Sequence, residues 1–379
     1  MNGIRKLNLI VITLGILFLV VYISKTTKFP EDPAKSPVIV NNDQNLPKEY
    51  SYEDAIASIK EAELKVNLEY LTSRELEGRM SGKKGNVIAA EHIKKAYESY
   101  GLSTMYHKFS IQRMNPGPKN ETGDDFTQNI YAWLEGNDPA VKDEVVVIGA
   151  HMDHIGYGPQ MSQSRKIDVH PGADDNASGT VALLEIAQAF AMLKGKNKRT
   201  VVFQAYSAEE MGLIGSRYYC NNPVFPKGSP SISKHVFMLN MDMVGYLGKG
   251  QYQDQAAFSA GESSVDISQF ILELGGKYSF AKSITSCESD GSDHASFYNK
   301  KVPIAFLHTG SHSYYHTPED TADKINYQGV EKVAKYGFEL AWKVVQSNTP
   351  PRFNYGGFRP MKYTHDHGHG KPFPHTHKE

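Results

Sequence analysis

The sequence predicts an α/β fold: a single domain with a central, twisted, mostly parallel β-sheet sandwiched by helices. Three observations carry that expectation. Short apolar runs at 144–149, 200–205, 235–241 and 302–307 alternate with helical patterns such as 178–193, the order expected of strands joined by helical crossovers. The 379 residues, 40% of them hydrophobic, suffice for a large core. The two cysteines, Cys220 and Cys287, exclude a disulfide-rich scaffold or a four-thiolate metal module, so the fold rests on burial and hydrogen bonding.

Residues 1–30 hold Arg5, Lys6, Lys25 and Lys28, no acid, and an apolar run over 7–23 broken only by Asn8, Thr13 and Gly15. At 1.5 Å per residue this run approaches the ~30 Å hydrocarbon thickness of a bilayer. No clear small-x-small cleavage site follows it, so an uncleaved membrane anchor is expected in preference to a signal peptide, with the rest exported to the periplasmic or extracellular side. Pro33, Pro37 and Pro47 mark residues 31–49 as a linker. From Tyr52, Ile56, Ile59, Leu64, Leu68 and Leu71 fit one helix face, and Val87, Ala90, Ile93 and Tyr97 fit another before Gly101, so two helices open a domain spanning 50–348.

The tail, 349–379, is expected to be flexible: Pro350, Pro351, Gly356, Gly357 and Pro360 oppose regular structure. It carries five of the fifteen histidines, His365, His367, His369, His375 and His377, and such a His-rich composition is expected to bind metal transiently. The net charge of −1 and pI near 7.0 lack the basic footprint of a nucleic-acid binder. That total sums unlike parts: +4 over 1–30, a net +3 over 349–379, and −8 over 31–348.

Candidate chemistry lies where strands end, the place where open α/β sheets build their sites. The run 145–150 leads into His151-Met152-Asp153-His154, where Asp153, two residues on, shares the face of His151 and can hold its ring. Pro171-Gly172-Ala173-Asp174-Asp175-Asn176 precedes an apolar helix; Asp175 or Asn176 can cap that helix, which leaves Asp174 needing another reason to be there. The run 200–205 leads into Glu209-Glu210, whose side chains diverge, so that one can bind a metal and the other face its water. Asp242, among Met241, Met243 and Val244, is costly to bury unless paired or metal-bound. Ser292-Asp293-His294 and Tyr314-Tyr315-His316-Thr317-Pro318-Glu319-Asp320 flank the last strand.

In order and wording these segments resemble the di-zinc aminopeptidase family of co-catalytic zinc exopeptidases, over roughly residues 50–345. Glu77-Gly78-Arg79 with Gly82, Gln128-Asn129-Ile130 and Leu134-Glu135-Gly136 resemble its opening segment. The resemblance implies that His151 and Asp242 hold one Zn²⁺, Glu210 and His316 the other, and Asp174 bridges the two ions. Glu209 would be the general acid/base acting on a metal-activated water, and Asp153 would hold His151 from behind. Asp293 would have a supporting part, while His154 and His294 are expected to be structural rather than ligands.

The implied substrates are peptides with a free N-terminus. Met211, Met243, Phe297, Tyr314 and Tyr315 are candidates for an apolar pocket accepting the first side chain. A glutaminyl cyclase-like acyltransferase on a related single-zinc fold is the principal alternative, beside carboxypeptidase or dipeptidase specificity and a non-catalytic module that would have lost its ligands. No protease-associated insertion is present. Cys220 and Cys287 can pair or stay buried thiols, and Asn120-Glu121-Thr122 matches a glycosylation sequon.

Overall fold

The computed structural model describes residues 49–111, 126–249, 257–259, 263–278, 280, 284–285 and 291–355. The apolar run at 7–23, most of the linker, Asn120, Cys287 and the histidine-rich tail lie outside the described residues. No helix among the described residues is long and apolar enough to cross a membrane.

Among the described residues, eight strands form one sheet in the order β1-β2-β4-β3-β5-β8-β6-β7. They are β1 (Ser103–Ser110), β2 (Phe126–Leu134), β3 (Val145–His151), β4 (Thr200–Tyr206), β5 (His235–Met241), β6 (Ala257–Ser259), β7 (Ile284–Thr285) and β8 (Ile304–His308). The centre, β4-β3-β5-β8, is parallel, as the sequence predicts, whereas β1 and β2 add an antiparallel edge and β6 runs antiparallel to β8.

The apolar runs of the central strands are continuous because both faces are covered. On β3, Val146, Ile148 and Ala150 enter one core, while Val145 and Val147 enter a second on the opposite face. The first core lies under α1 (Tyr52–Ser58), α2 (Glu61–Leu71), α3 (Lys84–Ser99), α4 (Gly179–Met192) and α8 (Tyr327–Gln346). The second lies under α5 (Ile214–Asn221) and α7 (His294–Tyr298), while α6 (Val265–Tyr278) packs beside α8. In α4 every residue from Gly179 to Phe190 is buried, so its sequence is apolar nearly all round.

The single opening helix expected over 52–71 is broken at Ile59-Lys60, both in extended conformation. Tertiary acceptors intercept amides that a continuous helix would use: Lys60 N donates to Glu185 Oε2 at 3.2 Å and Glu61 N to Glu331 Oε2 at 2.7 Å. At the far end, Arg199, fully buried, donates to Glu144 Oε2 and to the carbonyls of Val344, Val345 and Ser347, satisfying the C-terminal carbonyls of α8 where the predicted domain ends.

Glu185 is fully buried, and burial with the charge of Glu63 pushes its carboxyl from 4.5 up to about 8. The native state then binds this proton more tightly than the unfolded chain, so the group erodes stability as pH rises from about 4.5 towards 8. Glu185→Gln keeps an acceptor for Lys60 N without the ionisation. We expect its urea midpoint to fall less than that of the parent between pH 5 and pH 8; parallel pH profiles would contradict the assignment.

Candidate metal centre

The parallel register places the C-terminal ends of four strands side by side: His151 opposite Tyr206, Gly149 opposite Asn240, and Met241 opposite Leu307. The segments that follow β3, β4, β5 and β8 therefore converge, and the turn leading into α4 joins them. There the sequence gathers Asp175, Glu209, Glu210, Asp242, His151, His154 and His316.

Asp175 stands at the centre. Its Oδ1 lies 3.3 Å from His151 Nε2, which is also 3.3 Å from Asp242 Oδ1. Its Oδ2 lies 2.9 Å from His316 Nε2, which is 3.1 Å from Glu210 Oε2, and 3.7 Å from His154 Nδ1. His154 Nδ1 is 2.9 Å from Glu210 Oε1. Two donor groups result, His151/Asp175/Asp242 and His154/Asp175/Glu210/His316, each with its ligand atoms within 4.8 Å of one another. Four donors about 2.0–2.2 Å from a divalent ion are roughly 3.3–3.6 Å apart, close to these spacings.

Behind the donors, His151 Nδ1–H donates to the Asp153 carbonyl at 3.2 Å, with Asp153 Oδ1 3.6 Å away, leaving Nε2 to face the cluster. Asp153 Oδ1 also accepts the Glu209 amide at 3.2 Å. The Asp320 carboxylate accepts the amides of Asp174 and Asp175 at 3.0–3.1 Å. Arg79, 1% exposed, donates through Nε to Met152 O, through Nη1 to Leu71 O and Pro171 O, and through Nη2 to Gly172 O, so one guanidinium holds both the His151 segment and the Asp175 turn. Ser81 Oγ accepts the Ala208 amide at 2.7 Å and fixes the segment before Glu209.

The electrostatics are those of a cation site. Burial lowers the basicity of His316, yet Glu210 and Asp175 overcome it and raise the ring to about 11; Asp242 and Glu209 likewise raise His151 against its burial. Burial pushes Glu209 well above the usual carboxylate range, with attraction from His151 outweighed once Asp242, Glu210 and Asp293 add their repulsion. Burial raises Asp293 to about 7, and burial with Asp174 raises Asp320 to about 6. His316 Nε2 is buried and has no hydrogen bond of acceptable geometry although carboxylate oxygens surround it, which fits a nitrogen whose partner is a metal ion. The imidazole and carboxylate donors present fit Zn²⁺, and Asp175 is common to both donor groups.

Of the residues singled out from sequence, His151, Glu210, Asp242 and His316 come together here, with Glu209 and Asp153 beside them. Asp174 does not, and Asp175 is the aspartate that belongs to both donor groups. The physical reason is capture: Asp174 Oδ1 accepts from Gly245 N at 2.6 Å and Ser178 Oγ at 3.1 Å, and Oδ2 accepts from His312 Nε2 at 3.0 Å, so this carboxylate faces the start of α4 and the His312 loop. The capping role open to Asp175 or Asn176 belongs to Asn176, whose Oδ1 accepts the Gly179 amide at 3.1 Å. His154 joins the cluster, whereas His294 stacks on Phe306 with ring centroids 4.3 Å apart.

Among the pocket candidates, Tyr315 stacks on His316 at 3.9 Å, but Phe297 is fully buried in the second core beside Tyr206 and Tyr219. Arg79 and His312 carry structural duties that sequence reasoning did not assign. The one available signal was that Arg79 belongs to a Glu-Gly-Arg segment resembling the family.

Known proteins resemble this chain in sequence and in fold. A probable leucine aminopeptidase 1 of Trichophyton verrucosum is 31% identical over 220 residues, covering 55% of this chain and 55% of that protein. A second probable leucine aminopeptidase from the same organism is 27% identical over 316 residues, covering 80% and 78%. The chain thus spans about half the length of the first curated relatives it matches. Among solved structures, the aminopeptidase from Aneurinibacillus sp. strain AM-1 superposes with a TM-score of 0.61 at 16% identity, covering 80% of this chain and 100% of that one. BSAP, a zinc aminopeptidase from Bacillus subtilis, gives 0.58 at 16% identity, covering 79% and 97%. At such identities the structures establish the fold. Residues 129–341, more than half of the chain, match Peptidase family M28, and the chain belongs to that family.

Proposed function

We propose that this protein is a zinc-dependent aminopeptidase that holds two Zn²⁺ ions and removes the N-terminal residue of peptides. The observation that carries the reading is the division of Asp175, one oxygen toward His151 and Asp242, the other toward His316 and Glu210, with Glu209 alongside. When bound, the ions would supply Lewis acidity, polarising the scissile carbonyl and acidifying a water. His151 and Asp242 would hold one, Glu210 and His316 the other.

Glu209 moves the proton. Its main chain is fixed by Asp153, and its crowded, partly buried carboxyl has a raised proton affinity, which suits a group that takes a proton from water and returns it to the leaving amine. The surrounding carboxylates favour a free α-ammonium or a metal-held amine beside the cluster, which an N-acylated peptide cannot present. A cyclase using a single metal would have no use for two donor groups sharing one carboxylate. We also propose export, with the apolar run at 7–23 as a tether, on the strength of its length and flanking Lys and Arg residues.

Glu209→Gln is expected to lower kcat on aminoacyl chromogenic substrates by about 10²- to 10⁴-fold while two equivalents of zinc remain by elemental analysis; near-normal turnover would refute the assigned role. Asp175→Asn should lose zinc, whereas Asp174→Asn, altering a residue outside both donor groups, should retain both ions. The reverse pattern would return the bridge to Asp174. Cleavage should be confined to substrates with a free amino terminus. Release of N-acetylated substrates, or cyclisation of N-terminal Gln peptides in its place, would sink the aminopeptidase reading.

A further inference from the structure

Five donors suffice for two ions that share a carboxylate, and the sixth clustered side chain, His154, needs its own account. Its ring is buried, edge-on to that of His316 with centroids 5.4 Å apart. Gly172 backs it so closely that a Cβ there would lie 2.5 Å from His154 Cγ. One nitrogen, Nδ1, faces Glu210 Oε1 at 2.9 Å in hydrogen-bonding geometry and stands 3.7 Å from Asp175 Oδ2. The other, Nε2, is buried with no hydrogen-bond partner among the described residues.

We infer that His154 is a positioning residue that donates Nδ1–H to Glu210 Oε1 and so commits Glu210 Oε2 to the metal position beside His316. The inference rests on the zinc reading above. The unpartnered Nε2 favours donation over ligation. A histidine that bound metal through Nδ1 would have to carry its proton on Nε2, and metal-bound histidines almost always give that proton to an acceptor, which this ring lacks. His151 shows the contrasting arrangement, with Nδ1–H given to Asp153 O and Nε2 free for the cluster. A carboxylate only accepts, so the bond to Glu210 requires the proton on His154 Nδ1.

The need for such a partner follows from the side chain it holds. Glutamate has three rotatable bonds, and Glu210 lies beside Asp175, whose charge repels it. Left alone, its carboxylate would turn away from Asp175. Held by one oxygen, it presents the other 3.1 Å from His316 Nε2. His154 thereby does for Glu210 what Asp153 does for His151.

The test is zinc affinity of the full chain, by competition with a chromogenic chelator, with unfolding of the zinc-free proteins as a control on folding. His154→Ala should weaken one of the two zinc ions by about 10- to 100-fold and leave the other near its original affinity. His154→Asn, whose Nδ2–H can occupy the place of Nδ1–H but is a poor zinc ligand, should restore most of the loss. Unchanged affinity in His154→Ala, or His154→Asn no better than alanine, overturns the inference. Should the alanine variant not fold, a crystal structure of the zinc-loaded parent decides. Nδ1 against Glu210 Oε1 supports the inference, and Nδ1 bonded to zinc at about 2.0–2.1 Å overturns it. A parent that binds no zinc overturns the functional reading and this inference together. Two zinc ions and free-amine specificity with an indifferent His154→Ala overturn only the inference.

Discussion

A guanidinium taken out of water costs several kcal/mol unless its N–H groups find acceptors, and in Arg79 four main-chain carbonyls supply them. Those carbonyls belong to Met152, between His151 and Asp153, to Pro171 and Gly172, just before the Asp174-Asp175 turn, and to Leu71 at the end of α2. The separation between the His151 segment and the Asp175 turn is therefore set by the width of one planar, rigid group. A lysine ammonium, a point charge with three donors, would not span the same acceptors.

The same cation serves the charge balance. Burial pulls Arg79 down to about 10, while Asp175, Asp320, Asp153 and Glu210 work in the opposite direction to keep it charged. Burial, with repulsion among the carboxylates added to it, holds Glu209, Asp293 and Asp320 above the ordinary carboxylate range, and the carboxylates around His316 make it hold its proton tightly. Arg79 relieves part of this repulsion from behind, and the arrangement of donors in front suits divalent cations. Without Arg79 or a bound cation, only the protons on histidines such as His151 and His316 would offset that repulsion.

The central sheet was legible because its strands are buried on both faces and read as continuous apolar runs. The antiparallel edge was not: β1 is largely half-exposed, and in β2 Gln128 and Asn129 interrupt the pattern. Asn129 is there for a tertiary purpose, accepting the Ser207 amide and donating to Gly215 O, which a local reading cannot anticipate. The break at Ile59-Lys60 has the same origin, since the acceptors Glu185 and Glu331 lie far along the chain. Within the site, His151, Glu210, Asp242 and His316 lie in segments that follow strands, and the resemblance to the family is what singled them out as a set. Choosing between Asp174 and Asp175 was beyond reach, because adjacent aspartates in a turn differ only in what the rest of the fold offers each of them.

That choice exposes how the site is assembled. Around the cluster, residues near His151, Asp175 and His316 address other segments. Asp153 carries its contact from the His151 segment to the Glu209 amide, and Asp174 carries its contacts from the Asp175 turn to Gly245 N and His312. Asp320, four residues beyond His316, returns to the amides of Asp174 and Asp175. These supports run between loops and add to local ones such as His151 Nδ1–H to Asp153 O, so the geometry of one loop depends on its neighbours. Exchanging one acid of a pair for its neighbour cannot be a local change: it would strip a bond from a different strand end while moving the donor on its own, and this is why two chemically identical aspartates hold positions that are not interchangeable.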